Sequence, residues 1–176
     1  LWERFSNHEQ LRQRIAHIQF GKSVPGQLHP QNLPYVSLGK LFKGREAFLT
    51  TLREHLLVRA HQGNGAHAAA ITQRQAVCGL GGVGKTRLAV EYGWRYNDEY
   101  CAVLFVVAES PENLRRNLAR LTGPLVLNLQ EQNRQEEEVK MAAAIRWLVE
   151  HPGWFLILDN VDSRPAAQAV EDLLAR

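Results

Sequence analysis

The stretch GLGGVGKT, residues Gly79 to Thr86, lies between the apolar run AVC and the amphipathic run RLAVEYGWRY. It fits the pattern G-x-x-x-x-G-K-[ST], in which a strand runs into a glycine-rich loop and a helix begins directly behind the loop. The backbone N–H groups of such a loop converge on phosphate oxygens, and glycines let the main chain approach the ligand without a Cβ in the way. The alternative is a plain glycine-rich turn that happens to contain a lysine. Because a chance match to all the constrained positions is rare, the stretch predicts a phosphate-binding loop.

The residues at the end of this stretch have distinct predicted roles. Lys85 and Thr86 begin the helix, so the partial positive charge and the N–H groups of its N-terminus point at the anion. We expect Lys85 to contact the β and γ phosphates as a point charge, and Thr86 Oγ1 to be a ligand of Mg²⁺. Arg87 either reaches a phosphate or faces solvent. The predicted phosphate-binding residues are Gly79, Gly81, Gly82, Val83, Gly84, Lys85, Thr86 and Arg87.

The length and composition of the chain are those of an ordinary soluble protein. A length of 176 residues predicts one domain, or one domain with an appendage, and 45% apolar residues are enough for a core. The net charge of +3 is modest and the basic residues are spread out, so a nucleic-acid-binding surface is not indicated. No apolar run reaches the roughly 18 residues of a membrane span, and the two cysteines are typical of a protein of the reducing cytoplasm. Since the chain begins with Leu1, we expect it to be part of a longer protein.

The alternation of strands and helices around the loop predicts the fold class. A strand is expected before the loop, over about residues 71–79, and the apolar residues after the loop have helical spacing as far as about Tyr96. AVLFVVA, residues 102–108, and WFLILD, residues 154–159, are apolar runs typical of strands that are buried on both faces of a parallel sheet. Helical patterns lie between them, the first of which is capped by Ser110. This order predicts an α/β domain with a parallel sheet flanked by helices.

The residues ahead of the loop are predicted as three segments. A capping box and helical spacing of apolar residues predict an amphipathic helix over about residues 7–20. An irregular linker, rich in Pro and Gly, follows over residues 21–40. Another helix is expected to begin near Arg45, with Phe48, Leu52 and Leu56 on its buried face. We therefore divide the chain into a helical segment over residues 1–20, the linker, and the phosphate-binding domain over residues 41–176.

A carboxylate follows the last apolar run. Residues 155–158 are apolar and Asp159 comes next, at the carboxyl edge of a central strand, where open α/β sheets bind their ligands. Packing gives no reason for a buried strand to end on Asp159 followed by Asn160 and Asp162. In enzymes with phosphate-binding loops such an acid holds Mg²⁺, directly or through water, so Thr86 and Asp159 are the predicted metal ligands. The alternative, an aspartate that caps a helix or a turn, fits Asp162 better than Asp159.

Three segments together resemble a known family. LFKGREAFLTTL, QAVCGLGGVGKTRLAVEY and WFLILDNVD occur in the order found in the STAND class of P-loop NTPases, specifically the NB-ARC-type nucleotide-binding domains of bacterial signalling and defence proteins. The resemblance covers about residues 41–176 and implies the P-loop NTPase fold. In that family a segment ahead of the first strand lies against the adenine and ribose, and Gly44 and Arg45, with Phe42 nearby, occupy its positions. The resemblance also implies ATP or ADP with Mg²⁺ rather than GTP, whose N-K-x-D motif is not found in this sequence.

Two departures from the family bear on catalysis. The family often has a second acid after the magnesium aspartate, which helps to polarise the attacking water, but here that residue is Asn160. An amide cannot accept a proton at neutral pH, so hydrolysis is expected to be slow or to use another group. The predicted catalytic set is Lys85, Asp159 and Asn160. The chain also ends at Arg176, before the sensor arginine, the helical lid and the winged helix of related proteins, so we expect the domain to be incomplete at its C-terminus.

Three classes of function are open at this point. In the first, which the resemblance favours, ADP holds a closed cytoplasmic monomer, and exchange for ATP opens it so that it oligomerises and brings attached effector domains together. The second is a conventional ATPase or kinase, in which the reaction product rather than the bound nucleotide is the output. Fast steady-state turnover would distinguish it. The third is a nucleotide-responsive DNA-binding regulator, whose mark would be a helix-turn-helix outside these residues. The opening segment, LWERFSNHEQLRQRIAHIQ, is either the last helix of an upstream effector, such as a TIR-type domain, or a linker helix that packs on the nucleotide domain.

Overall fold

The computed structural model describes residues 13–18, 29–58, 73–77 and 84–175. Short 3₁₀ turns at Gly39–Leu41, Asn97–Glu99 and Gln130–Asn133 join some of the regular elements. The strands and helices are, in chain order, β1 (Gln13–Ile18), α1 (Glu46–Val58), β2 (Gln73–Val77), α2 (Lys85–Arg95), β3 (Ala102–Val107), α3 (Pro111–Arg120), α4 (Glu137–Glu150), β4 (Trp154–Val161) and α5 (Arg164–Leu174). The α/β class predicted from the alternation of apolar patterns is confirmed.

The four described strands form one sheet with the order β2-β1-β4-β3. β3 and β4 are parallel neighbours, and β1 is antiparallel to both β2 and β4. It follows that β2, β3 and β4 all run in the same direction. Their carboxyl ends therefore lie at one edge of the sheet, which is the edge where α/β proteins bind ligands.

Strand β1 lies where the sequence predicts part of a helix. The structure places Gln13–Ile18 in the sheet, so the predicted helix over residues 7–20 is wrong for these six residues. The rest of that predicted helix lies outside the described residues. The physical reason is that β2 and β4 hydrogen-bond β1 from both sides, and such long-range pairing outweighs a local pattern over so few residues.

Helices cover both faces of the sheet, and the alternation of side chains along the strands separates the two layers of core. Phe155 and Ile157 of β4 pack with α1 and α2, whereas Leu156 and Leu158 pack with α3, α4 and α5. The first layer comprises Leu49, Leu52, Leu56, Leu88, Ala89, Tyr92, Tyr100, Val103, Phe155 and Ile157. Its position matters for function because α2 carries the end of the predicted phosphate-binding loop.

The buried face of α1 differs by one residue from the predicted one. Leu52 and Leu56 are buried as expected, but Leu49 is buried with them at 1% exposure and Phe48 is 42% exposed. Leu49, Leu52 and Leu56 are spaced three and four residues apart and therefore share one side of the helix. Phe48 falls outside that stripe, so the prediction that it is buried is wrong.

Residues 29–40, which the sequence predicts as part of a linker, are packed against the domain. The backbone N–H of Val103 donates to Pro30 O at 2.9 Å. The side-chain amide of Asn32 pairs with the backbone of Phe105, donating to its carbonyl at 2.9 Å and accepting from its N–H at 2.7 Å. These contacts cover the outer edge of β3, which would otherwise expose unpaired backbone groups. Residues 29–40 therefore pack on the same sheet that β1 joins, although both lie ahead of the boundary predicted at residue 41.

Candidate functional site

The exit of the predicted phosphate-binding loop is formed by Gly84 and the first turn of α2. Gly84 has φ +82 and ψ 26, in the left-handed region that favours glycine, and is the residue before the helix. Helix α2 begins at Lys85, as the motif predicts, and the Leu88 N–H donates to Gly84 O at 2.9 Å to close its first turn. The predicted phosphate ligands Gly79, Gly81, Gly82 and Val83 lie outside the described residues.

The N-terminus of α2 differs from those of α3, α4 and α5. Ser110 caps α3 by accepting from Asn113 N–H, as predicted, and Ser163 caps α5. α4 carries Glu137 and Glu138 in its first turn. α2 has neither a side-chain cap nor an acid in its first turn. The positive end of its dipole is therefore not offset by an acid of its own first turn, which favours the approach of an anion.

Two buried charged residues lie at the same edge of the sheet as this helix start. Lys85 is 9% exposed and Asp159 is 4% exposed. Asp159 is in register with Val107 of the parallel neighbour, so the alternation along β4 places its side chain on the same face as Phe155 and Ile157. That is the face covered by α2. Tyr92, two turns into α2, packs on Phe155 near the beginning of β4, so α2 runs back along that strand. Its N-terminus, with Lys85, therefore lies toward the carboxyl end of β4, as Asp159 does.

Asn160 lies in a local irregularity of β4. Ile15 and Gln13 of β1 pair with Leu158 and Val161, so the two residues between this pair on β4 stand opposite a single residue of β1. This is the arrangement of a β-bulge, which is frequent beside active sites. Asn160 has φ +61, and asparagine is one of the few residues with a side chain that adopts this conformation readily. The backbone conformation therefore explains why an asparagine, Asn160, follows Asp159.

Asp162 lies just after β4, and Thr86 lies in the first turn of α2. Asp162 is exposed and its N–H donates to Asn160 O at 2.9 Å, consistent with the predicted turn rather than with a metal site. Thr86 lies half-buried in the first turn of α2, one residue after the buried lysine. Its role as a metal ligand stays a prediction.

The side chain of Arg87 is partly exposed and contacts neighbouring residues, and its role toward a phosphate stays a prediction. Its Nη2 lies 2.8 Å from Glu91 Oε1 and also donates to Val36 O at 2.8 Å. The guanidinium lies 6.0 Å from the centroid of the Tyr35 ring. The contacts with Val36 and Tyr35 join the side chain to the segment at residues 35–38.

The segment Phe42–Arg45 borders the exit of the loop. Phe42 is half-buried and packs against the core layer of α1 and α2. Gly44 has φ +79 and precedes α1. A Cβ built on Gly84 would lie 4.0 Å from Nη1 of Arg45. Arg45, for which the sequence alone indicated only a turn and a helix start, is thus brought next to the last glycine of the loop.

Sequence reasoning missed Glu91, which lies in the middle of α2 and is 4% exposed. Its carboxylate accepts hydrogen bonds from Ser37 Oγ at 2.8 Å and from the Leu38 N–H at 2.6 Å. The signal in the sequence was a glutamate four residues after an arginine on an otherwise apolar helix face. This spacing indicates an ion pair between the two side chains. It does not indicate that the glutamate also binds Ser37 and Leu38.

Comparison with known proteins supports the interpretation of the loop. The sequence profile of the AAA domain matches residues 73–176, which is more than half of the chain. A nucleotide-binding leucine-rich repeat (NLR)-like protein of Hyaloscypha variabilis is 32% identical over 93 residues, covering 51% of this chain and 9% of that protein. The chain thus spans about a tenth of the length of this curated relative. No solved structure gives a significant match. Among the helices that the structure describes, none has the length and apolar composition needed to cross a bilayer.

Proposed function

This chain belongs to the AAA domain family of the P-loop NTPase superfamily, and we propose that it binds adenine nucleotides as a signal-transduction switch. In this proposal the nucleotide state controls whether the intact cytoplasmic protein is a closed monomer or an open oligomer. The resemblance to NB-ARC-type domains motivates the proposal, and the NLR-like relative supports it.

The observation that carries the proposal is the arrangement at the start of α2. A helix of 11 residues begins with an uncapped N-terminus, a left-handed Gly84 before it, and Lys85 buried in its first turn. Asp159 is buried at the same edge and on the same face of the sheet. A phosphate tail would be attracted by the lysine and by the positive end of the helix dipole, and a cation on that tail would be attracted by the carboxylate.

The residues at this edge fit a magnesium ion shared with the phosphates. Mg²⁺ is usually held by one or two protein oxygens together with phosphate oxygens and waters. Thr86 and Asp159 offer a hydroxyl and a carboxylate of this kind. Bound Mg²⁺ would neutralise charge on the transferred phosphoryl group. Lys85 would hold the β and γ phosphates, and the amides of the first turn would orient them.

The nucleoside side of the site is assigned to Phe42, Gly44 and Arg45. The proximity of Arg45 to Gly84 supports this assignment, because the part of a nucleotide beyond its phosphates must extend from the start of α2 to an adjoining surface. The preference for ATP or ADP over GTP comes from the family resemblance. Asn160 follows the metal-binding carboxylate, so turnover is proposed to be slow, as a switch requires.

A calorimetric titration tests the proposal directly. We expect ADP with Mg²⁺ to bind the intact protein, GTP to bind more weakly, and Lys85→Ala to abolish binding, because the phosphates lose their buried cation. Lys140→Ala is a matched control, since Lys140 lies on α4 at the opposite face of the sheet. Indifference of the unaltered protein to ADP and ATP, or a preference for GTP, would contradict the proposal.

A further inference from the structure

A buried carboxylate on α2 holds the segment Tyr35–Leu38, called the strap below. Glu91 Oε2 accepts from Ser37 Oγ at 2.8 Å, and Oε1 accepts from the Leu38 N–H at 2.6 Å. Arg87 completes the ion pair at 2.8 Å. Glu91 is therefore satisfied by two donors of the strap and one of its own helix, as a buried carboxylate must be.

Two more side chains of α2 donate to carbonyls of the strap. Arg87 Nη2 donates to Val36 O at 2.8 Å, and Trp94 Nε1 donates to Tyr35 O at 2.7 Å. The strap is thus hydrogen-bonded to three side chains of one helix, spaced along about two turns. All of these groups belong to the helix that begins at the phosphate-binding loop.

Polar contacts rather than apolar burial hold the strap in place. Tyr35 is 55% exposed, Val36 is 78% exposed and Leu38 is 41% exposed. Since none of these apolar side chains is fully removed from water, the hydrophobic effect contributes only part of what holds the strap. Hydrogen bonds to a buried charge are strong, so Glu91 is the main anchor.

The strap leads directly into the nucleoside side of the proposed site. It continues through the 3₁₀ turn Gly39–Leu41 to Phe42 and Arg45, and Arg45 lies beside Gly84. The segment from the strap to Arg45 therefore contacts α2 twice. The strap is hydrogen-bonded to the middle of α2, and Arg45 lies beside the N-terminus of α2. Fixing the strap on α2 limits where Phe42 and Arg45 can lie relative to the phosphates.

We propose that Glu91 is a positioning residue for nucleotide binding, and this inference rests on the proposed function. Glu91 touches no nucleotide atom in this proposal; it holds the strap so that the nucleoside side of the site is ordered before the ligand binds. A segment that must be ordered during binding lowers the affinity by the cost of its lost freedom. Loss of the anchor is thus expected to weaken contacts to base and ribose and to spare those to phosphate.

The test compares two ligands by calorimetry on the intact protein: ADP with Mg²⁺, and inorganic tripolyphosphate with Mg²⁺. The variants are Glu91→Ala, which removes the anchor, and Ser37→Ala, which removes one donor of the strap and leaves the ion pair with Arg87. Glu99→Ala is the matched control, because Glu99 forms another arginine ion pair with an N–O distance of 2.8 Å, at α1. Hydrogen exchange of the amides of residues 36–39 reports the order of the strap independently.

We expect Glu91→Ala to weaken ADP binding at least about tenfold and Ser37→Ala about threefold. Tripolyphosphate should bind every variant within about twofold of the unaltered protein, the strap amides should exchange faster in both variants, and Glu99→Ala should change neither ligand. A parallel loss of ADP and tripolyphosphate, or ADP binding by Glu91→Ala within about twofold of the unaltered protein, would overturn the inference. If the unaltered protein bound neither ligand, the proposed function would fail first and the inference with it.

Discussion

At the scale of single residues, backbone conformation explains two choices beside the proposed nucleotide site. Gly84, at φ +82, turns the chain from the loop into α2, and Asn160, at φ +61, follows the buried carboxylate Asp159. Glycine adopts such angles without strain because it has no Cβ. Among residues with a side chain, asparagine and aspartate adopt them most readily. An aspartate at position 160 would therefore be tolerated by the backbone, whereas a β-branched residue would not.

This reasoning predicts a gain of hydrolysis in Asn160→Asp. The new carboxylate keeps the backbone conformation and can accept a proton from water, so we expect ATP hydrolysis to rise at least about tenfold, since general bases typically contribute more than this. Single-turnover release of phosphate from the intact protein measures the effect. Asn160→Gly, which keeps the conformation but adds no base, should leave the rate unchanged. Equal rates in all three proteins would show that another group activates the water. Fast turnover by the unaltered protein would favour a conventional ATPase.

At the scale of elements, a buried aromatic cluster joins α2 to the sheet. The hydroxyls of Tyr92 and Tyr100 lie 2.8 Å apart and hydrogen-bond each other, and both rings pack on Phe155 of β4. Each buried hydroxyl thus has a partner. Burial raises the pKa of both phenols well above the ordinary value of 10, because the charged form would lose its hydration.

The raised pKa values predict a loss of stability at high pH. The folded state keeps both phenol protons at pH values where the unfolded chain releases them, so the full stability is present below about pH 10 and declines above it. Above that pH, each phenol lowers the free energy of unfolding by up to about 1.4 kcal/mol per pH unit. Urea unfolding between pH 8 and about pH 11 measures the decline. The double variant Tyr92→Phe/Tyr100→Phe should lose less stability over this interval; an identical decline would mean that other groups cause it.

At the scale of the whole molecule, three layers position the proposed site. Helices α1 and α2 cover one face of the sheet and α3, α4 and α5 cover the other. β2, β3 and β4 all end at the edge where α2 begins. The proposed site therefore lies at the carboxyl edge of the sheet, on the face that α1 and α2 cover.

The switch proposal predicts a change of assembly with nucleotide. We expect the intact protein to be a monomer with ADP and Mg²⁺ and a larger oligomer with ATP and Mg²⁺, because only a ligand that interacts differently with two states can shift their balance. Size-exclusion chromatography with light scattering measures the masses. Lys85→Ala should give one mass under both conditions. A mass of the unaltered protein that is the same with ADP and with ATP would contradict the switch and leave nucleotide binding intact.

Local patterns in the sequence were sufficient to predict most of the domain and part of its site. Apolar runs predicted β3 and β4, the glycine-rich motif predicted the start of α2 at Lys85, and Ser110 was correctly predicted as a cap. These features depend on neighbours a few residues apart, whose propensities and hydrogen bonds act within one element. For the same reason the sequence placed Asp159 near the carboxyl end of a buried strand, although β4 continues two residues past it, to Val161.

Only the tertiary structure decided which distant segments contact one another. The strand pairing of Gln13–Ile18, the burial of Leu49 in place of Phe48, and the attachment of the strap to Glu91 and Arg87 all depend on partners outside the local pattern. Local propensity is worth a few tenths of a kcal/mol per residue, which long-range ladders and buried hydrogen bonds readily exceed. The sequence by itself therefore determined those elements whose pattern is local, whereas the tertiary structure decided the pairing of β1 and which segments lie beside the start of α2.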